Sequence, residues 1–125
     1  MVKFDTVFQS EYQVLTVRLQ GIGDAATVPQ MVAAIMAAPE YRPGMPVLID
    51  ALNTDFAPSV KDAAMLPGFF EKELPGSRLG ALVQSAGRQH AIASVVETLA
   101  SRRNVPLFAV FTRRDDAMQW LTAKP

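Results

Sequence analysis

The side chains with the most chemistry in this chain fall in three short stretches, each directly after an apolar run. Asp50, Asn53 and Asp55 follow Met45-Pro46-Val47-Leu48-Ile49. Gln84, Ser85, Arg88 and His90 follow Leu79-Gly80-Ala81-Leu82-Val83, with Gly87 among them. Thr112, Arg113 and Arg114 follow Leu107-Phe108-Ala109-Val110-Phe111. If the runs are parallel strands, all three groups share the carboxyl edge of one sheet, where ligands bind in open α/β proteins. That edge would run from acidic to basic. Gly87 and the first-turn amides near Arg88 could hold an anion, because a helix N-terminus offers unpaired N–H groups and a positive dipole end. Ser85, Gly87, Arg88 and His90 are therefore the candidate anion site. Asp50, Asn53, Asp55, Arg113 and Arg114 are the candidates along the rest of the edge. The plainer alternative is that Ser85 caps a helix whose first turn carries a solvated Arg88 and His90.

Catalysis asks for more than these groups supply. His90 is the chain's single histidine. Ser85 lies near it, but no nucleophile-elbow glycine pattern surrounds the serine and no acid partner can be named. The chain has no cysteine, which excludes disulfides, thiolate metal sites and cysteine nucleophiles, and agrees with a reducing compartment. Asp50 and Asp55 are possible Mg²⁺ ligands, yet loop carboxylates more often close turns. Gly21-Ile22-Gly23 lacks the third glycine of a dinucleotide fingerprint and reads as a turn. No catalytic residue, metal or cofactor is assigned.

Twelve Lys/Arg balance twelve Asp/Glu, so no overall field draws the chain to nucleic acid or to a membrane surface. The halves differ: five basic against nine acidic residues up to Pro75, seven against three from Gly76 onward. The N-terminus has no long apolar h-region, and no run of about 18 apolar residues occurs. A cytoplasmic protein of one domain, residues 1–125, is the expectation.

The elements that must position those side chains can be read from periodicity. Phe4, Thr6 and Phe8 alternate with Asp5, Val7 and Gln9, and a second alternating run covers residues 12–19. Tyr12, Val14, Thr16 and Arg18 would share one face and Leu15, Val17 and Leu19 the other; the short polar link between the runs makes a hairpin. Val28, Met31, Val32, Ile35 and Met36 fall at helical spacing, with Thr27 as N-cap, Pro29 in the first turn and Pro39 as the stop. The run 45–52 has the unbroken apolar character of a strand buried on both faces. Ser59-Val60-Lys61-Asp62 resembles a capping box, and Pro67-Gly68 divides the segment it opens into a kinked helix or two short ones, anchored by Phe69 or Phe70. Leu79–Val83 is the next strand and residues 85–87 a turn. Ile92, Val95, Val96 and Leu99 mark a helix that ends on Arg102 and Arg103, with Asn104 as left-handed cap. After the run 107–111, Thr112-Arg113-Arg114-Asp115 starts a last helix carrying Met118, Trp120 and Leu121. The expected fold is α/β: one mostly parallel sheet of about five strands, an antiparallel N-terminal edge strand and about four helices.

This element order, the strand Pro46-Val47-Leu48-Ile49-Asp50 and the ending Val110-Phe111-Thr112-Arg113-Arg114-Asp115-Asp116-Ala117-Met118-Gln119-Trp120-Leu121 resemble the SpoIIAA-like (STAS/SEC14-type) small bacterial domains. The resemblance implies their fold and two functional themes. Anti-sigma-factor antagonists of this kind bind a partner protein and are switched by phosphorylation of a serine in an Asp-Ser pair after the central strand. Here that region reads Asp50-Ala51-Leu52-Asn53-Thr54-Asp55, with no such pair, and Thr54 and Ser59 do not match it. SEC14-type members imply lipid binding.

The leading expectation is thus a non-enzymatic binding domain acting on a protein partner or as a homodimer, without the phospho-serine switch. A carrier of a lipid or an anionic metabolite comes second, using the carboxyl edge and the apolar surface around Phe56, Phe69 and Phe70. An enzyme is third. An exposed apolar patch marks the first, an enclosed apolar pocket the second, and His90 within reach of a carboxylate or hydroxyl in a cleft the third.

Overall fold

The alternating and unbroken apolar runs condense into one sheet. The computed structural model describes residues 2–24, 26–55, 59–102 and 107–123. Along the chain these form β1 (Val2–Gln9), β2 (Val14–Ile22), α1 (Thr27–Ala37), β3 (Val47–Asp55), α2 (Val60–Ala63), α3 (Leu66–Glu73), β4 (Leu79–Leu82), α4 (Arg88–Arg102), β5 (Phe108–Phe111) and α5 (Arg114–Thr122). Strand order is β1-β2-β3-β4-β5, with β1 antiparallel to β2 and the other pairs parallel. The mostly parallel sheet with its antiparallel edge is the one expected. Phe56, the Arg102 and Arg103 side chains and the Asn104 cap lie outside the described residues.

Side-chain alternation divides the core between the two faces of the sheet. Leu15, Val17, Val47, Ile49 and Leu79 face α1 and α3, where Met31, Val32, Ile35, Phe70 and Leu74 complete a buried cluster. Val14, Leu48 and Leu82 face the other way and meet Ala117 and Leu121 of α5. Fully burying a side chain such as Ile35 or Leu48 stabilises by about 1.5–3 kcal/mol. Gly80 lets α5 approach: a Cβ there would sit 3.3 Å from a Leu121 methyl.

Local signals are mostly obeyed, with three corrections. Tyr12 lies in the hairpin turn, not on the strand; its N–H bonds Gln9 O at 3.1 Å, and Gln13 takes φ 56° to close the turn. Thr27 is the first helical residue and not the N-cap, which is Ala26. Its hydroxyl instead accepts the Asp24 N–H at 2.8 Å, because the Asp24 carboxylate turns forward to accept the Ala26 N–H at 2.9 Å. Thr112 does not cap α5 either; Arg113 holds that position without a side-chain cap bond. Ser59 does cap α2, accepting the Asp62 N–H at 3.1 Å. The segment around Pro67 forms two short helices, α2 and α3, and Phe70 is its buried anchor at 7% exposure.

One irregularity matters for everything at the carboxyl edge. Arg18 pairs with Asp50, but Gln20 pairs with Asn53. Two steps along β2 therefore span three along β3. This is a β-bulge, and it leaves backbone groups of β3 without ladder partners.

Candidate functional site

The bulge creates a need, and two helix starts meet it. Gln89, in the first turn of α4, donates its Nε2 protons to Ala51 O at 3.0 Å and Thr54 O at 3.1 Å. Its Oε1 accepts the Gln84 N–H at 3.2 Å, and Gln84 Nε2 in turn donates to Leu52 O at 3.2 Å. Two neutral amides thus satisfy the irregular end of β3. On the opposite face, one Asp50 oxygen accepts the Leu52 N–H at 3.2 Å and the other accepts Arg114 Nη2 at 2.6 Å. Arg114 belongs to the first turn of α5 and its side chain is 40% exposed, against 10% for Asp50.

Between the ends of β2, β3 and β4 lies an open polar cleft of about 600 Å³, lined by Gly23, Asn53, Asp55, Gln84 and Arg88. Gln89 also lines an apolar pocket of about 90 Å³, open to the surface, with Leu19, Met31, Ile49, Ala81, Val96 and Phe108 among its walls. It thus borders both spaces. The pocket is several times the ~15 Å³ that admits one water, but a water needs 2–4 polar partners. Its walls supply almost none, so it suits a small apolar group. It is far below the ~300–1,000 Å³ of a drug-sized ligand pocket, a range the cleft does reach. Close by, Thr54 Oγ1 is buried, and it is the one buried side-chain polar atom without a hydrogen bond among the described residues.

The candidate residues of the edge separate into groups. Asn53, Asp55 and Arg88 come together in the cleft, joined by Gln84. Ser85 and Gly87 lie in the exposed bend leading into α4; Gly87 takes φ +96° and its carbonyl accepts the Ala91 N–H, so Gly87 and not Ser85 is the cap residue. His90 is half-buried on α4 and does not line the cleft; among the described residues its ring makes no hydrogen bond, and its carbonyl accepts Ser94 Oγ. Arg113 is exposed at the start of α5. The expected gradient from Asp50 to Arg114 collapses into a direct pair.

Gln89 is the residue that sequence reasoning missed. The available signal was its place in a helix's first turn, where a glutamine side chain can reach back to backbone, as in a capping box. Among the described residues, no group of three or more His, Asp or Glu is arranged to hold a metal ion. No described helix is long and apolar enough to cross a membrane.

No protein-family model matches the chain, and no curated protein does. Solved structures do. An anti-sigma factor antagonist from Mycobacterium paratuberculosis aligns at TM-score 0.64 and 20% identity over 98% of this chain and 96% of that one. An uncharacterised DUF3478-family protein with a SpoIIAA-like fold, from Shewanella loihica PV-4, aligns at TM-score 0.59 and 19% identity over 96% and 93%. Both alignments run over nearly the whole length of the chain, which has the SpoIIAA-like fold.

Proposed function

We propose that this chain is a non-catalytic, cytoplasmic binding domain of the SpoIIAA-like type that holds a protein partner at the carboxyl edge of its sheet. The observation that carries this reading is a set of apolar side chains left in water. Ile22 at the end of β2, Val60 at the start of α2 and Met65 just beyond it are 69%, 63% and 68% exposed. All three belong to segments at or after the ends of β2 and β3, the strands that frame the cleft. Burying each fully against a partner is worth at most about 1.5–3 kcal/mol, and we read the three, which follow neighbouring strand ends, as contact points for that partner. The Mycobacterium paratuberculosis neighbour is an anti-sigma factor antagonist, so an anti-sigma factor is the first partner class to test. Binding is expected without a phospho-serine switch. The Asp-Ser pair is missing, Thr54 is only 2% exposed, and the Ser59 hydroxyl is occupied as a helix cap.

Site-specific photo-crosslinking in the source cells tests this. A benzophenone residue at Ile22 or Met65 should trap a defined protein, whereas one at Met36, 53% exposed on α1, should not. Equal trapping at all three positions, or none at any, counts against the reading.

A second reading, a carrier for a small ligand, is favoured by the cleft and pocket that Gln89 borders. The apolar pocket, at about 90 Å³ and open to the surface, gives an acyl chain little enclosed room. A small anionic metabolite near Gly87 and Arg88 is therefore the form this reading takes. Native mass spectrometry of protein purified from its own cells decides it, since a carrier retains a ligand mass and a protein binder does not.

A further inference from the structure

The two edges of the sheet are finished differently. β5 is only four residues long, and the N–H of Val110, which does not face β4, is taken by Glu97 Oε2 from α4 at 2.6 Å. β1 is eight residues long and pairs with β2 residue for residue, with no bulge. Leu15 gives its N–H to Pro46 O, toward β3. Alternation then turns the backbone groups of Val14, Thr16 and Arg18 toward Gln9, Val7 and Asp5 of β1. The opposite parity, Val2, Phe4, Thr6 and Phe8, turns N–H and C=O groups to the outer edge, where no described strand pairs with them. Such a row is a template for another strand.

We propose that this edge pairs antiparallel with β1 of a second copy, centred on Phe4, to give one continuous sheet through a two-fold dimer. Register follows from charge. Lys3 and Asp5 are exposed on the face away from the main core, and neither has an ion-pair partner among the described residues. Centred on Phe4, Lys3 of each copy lies opposite Asp5 of the other. Centred on Asp5, two carboxylates face each other. Centred on Thr6, Lys3 meets Gln9 and Asp5 meets Val7. Of these three registers, the first alone uses both charges, and it also places the free backbone groups of Val2, Phe4 and Thr6 opposite one another. Lys3 and Asp5 then form a non-hydrogen-bonded pair, the type in which side chains approach most closely. The half-buried Phe4 gains its own counterpart as neighbour.

The test uses the full chain with any tag at the C-terminus. Sedimentation over about a hundredfold range of micromolar concentration should show a monomer–dimer equilibrium. Lys3→Glu should weaken the dimer about tenfold, because two attractive pairs become repulsive. The swap Lys3→Asp with Asp5→Lys, made together with Arg18→Gln because Arg18 lies opposite position 5 in β2, should restore it. A far-ultraviolet circular dichroism spectrum matching the wild type confirms that each variant is folded, since weaker association by itself lowers the melting temperature. Because the chain has no cysteine, mixing Lys3→Cys with Asp5→Cys protein under mild oxidation should give mainly the mixed disulfide. A monomer throughout, a dimer indifferent to the reversal, or predominantly like-with-like disulfides would each overturn the proposal.

Discussion

The two halves of the carboxyl edge solve the same problem with different chemistry. Both tie the bulged end of β3 to the segment that opens a helix. On the α4 side the tie is a pair of neutral amides, Gln84 and Gln89, bonding Ala51, Leu52 and Thr54 carbonyls. On the α5 side it is a short ion pair, Asp50 to Arg114 at 2.6 Å. The ion pair neutralises its own charges. The amides bond only backbone, so Arg88, Asn53 and Asp55 stay available around an open cleft. Charged residues on an edge are thus a poor guide to which part of it is free: here one of the two candidate acids near the bulge is already engaged.

Breaking the amide side should cost most. Gln89→Ala strands Ala51 O, Thr54 O and the Gln84 N–H together, and about 2–3 kcal/mol of stability should disappear from urea unfolding. A loss under about 1 kcal/mol would mean that water replaces the amide and that Gln89 does not hold the bulge. The ion-pair side should cost less. Arg114→Ala leaves Asp50 nearly buried and unpaired, but the Arg114 side chain is 40% exposed, so about 1–2 kcal/mol is expected after solvent screening. Asp50→Asn should be milder, since its amide oxygen can still accept the Leu52 N–H. A double-mutant cycle between positions 50 and 114 with no coupling would remove the pair from any structural role.

Around the cleft the effects should fall on binding instead. Met65→Ser should change stability by less than about 0.5 kcal/mol while abolishing the partner crosslink at Ile22. An intact crosslink in that variant would place the partner elsewhere. The smallest effect belongs to the anion reading. Phosphate should raise the wild-type melting temperature by about 2 °C more than it raises that of Arg88→Ala. Equal shifts would leave the cleft without an anion preference.

Much of the fold is legible in the chain because its signals are local. Strand and helix faces follow from spacing within a few residues, and periodicity alone marks Ile35 and Leu121 as core. Starting residues are less legible. Thr27 and Thr112 have capping chemistry, yet Asp24 engages the first and the second makes no cap bond. The candidate site is legible only as a set of residue types. Asn53, Asp55 and Arg88 do share a cleft, but Asp50 and Arg114, expected at opposite ends of an acidic-to-basic edge, instead touch.

What the sequence determined by itself is the set of elements, their faces and the strands at whose ends polar residues gather. Hydrophobic periodicity encodes these within one or two turns of chain. What only the tertiary structure decided is the extra residue in β3, the use of Gln89 to satisfy it across 38 positions and the pairing of Asp50 with Arg114 across 64. The reason is physical. A bulge is a mismatch between two strands, visible in neither one alone, and the unpaired backbone groups it creates select whichever side chains the packed helices bring within reach.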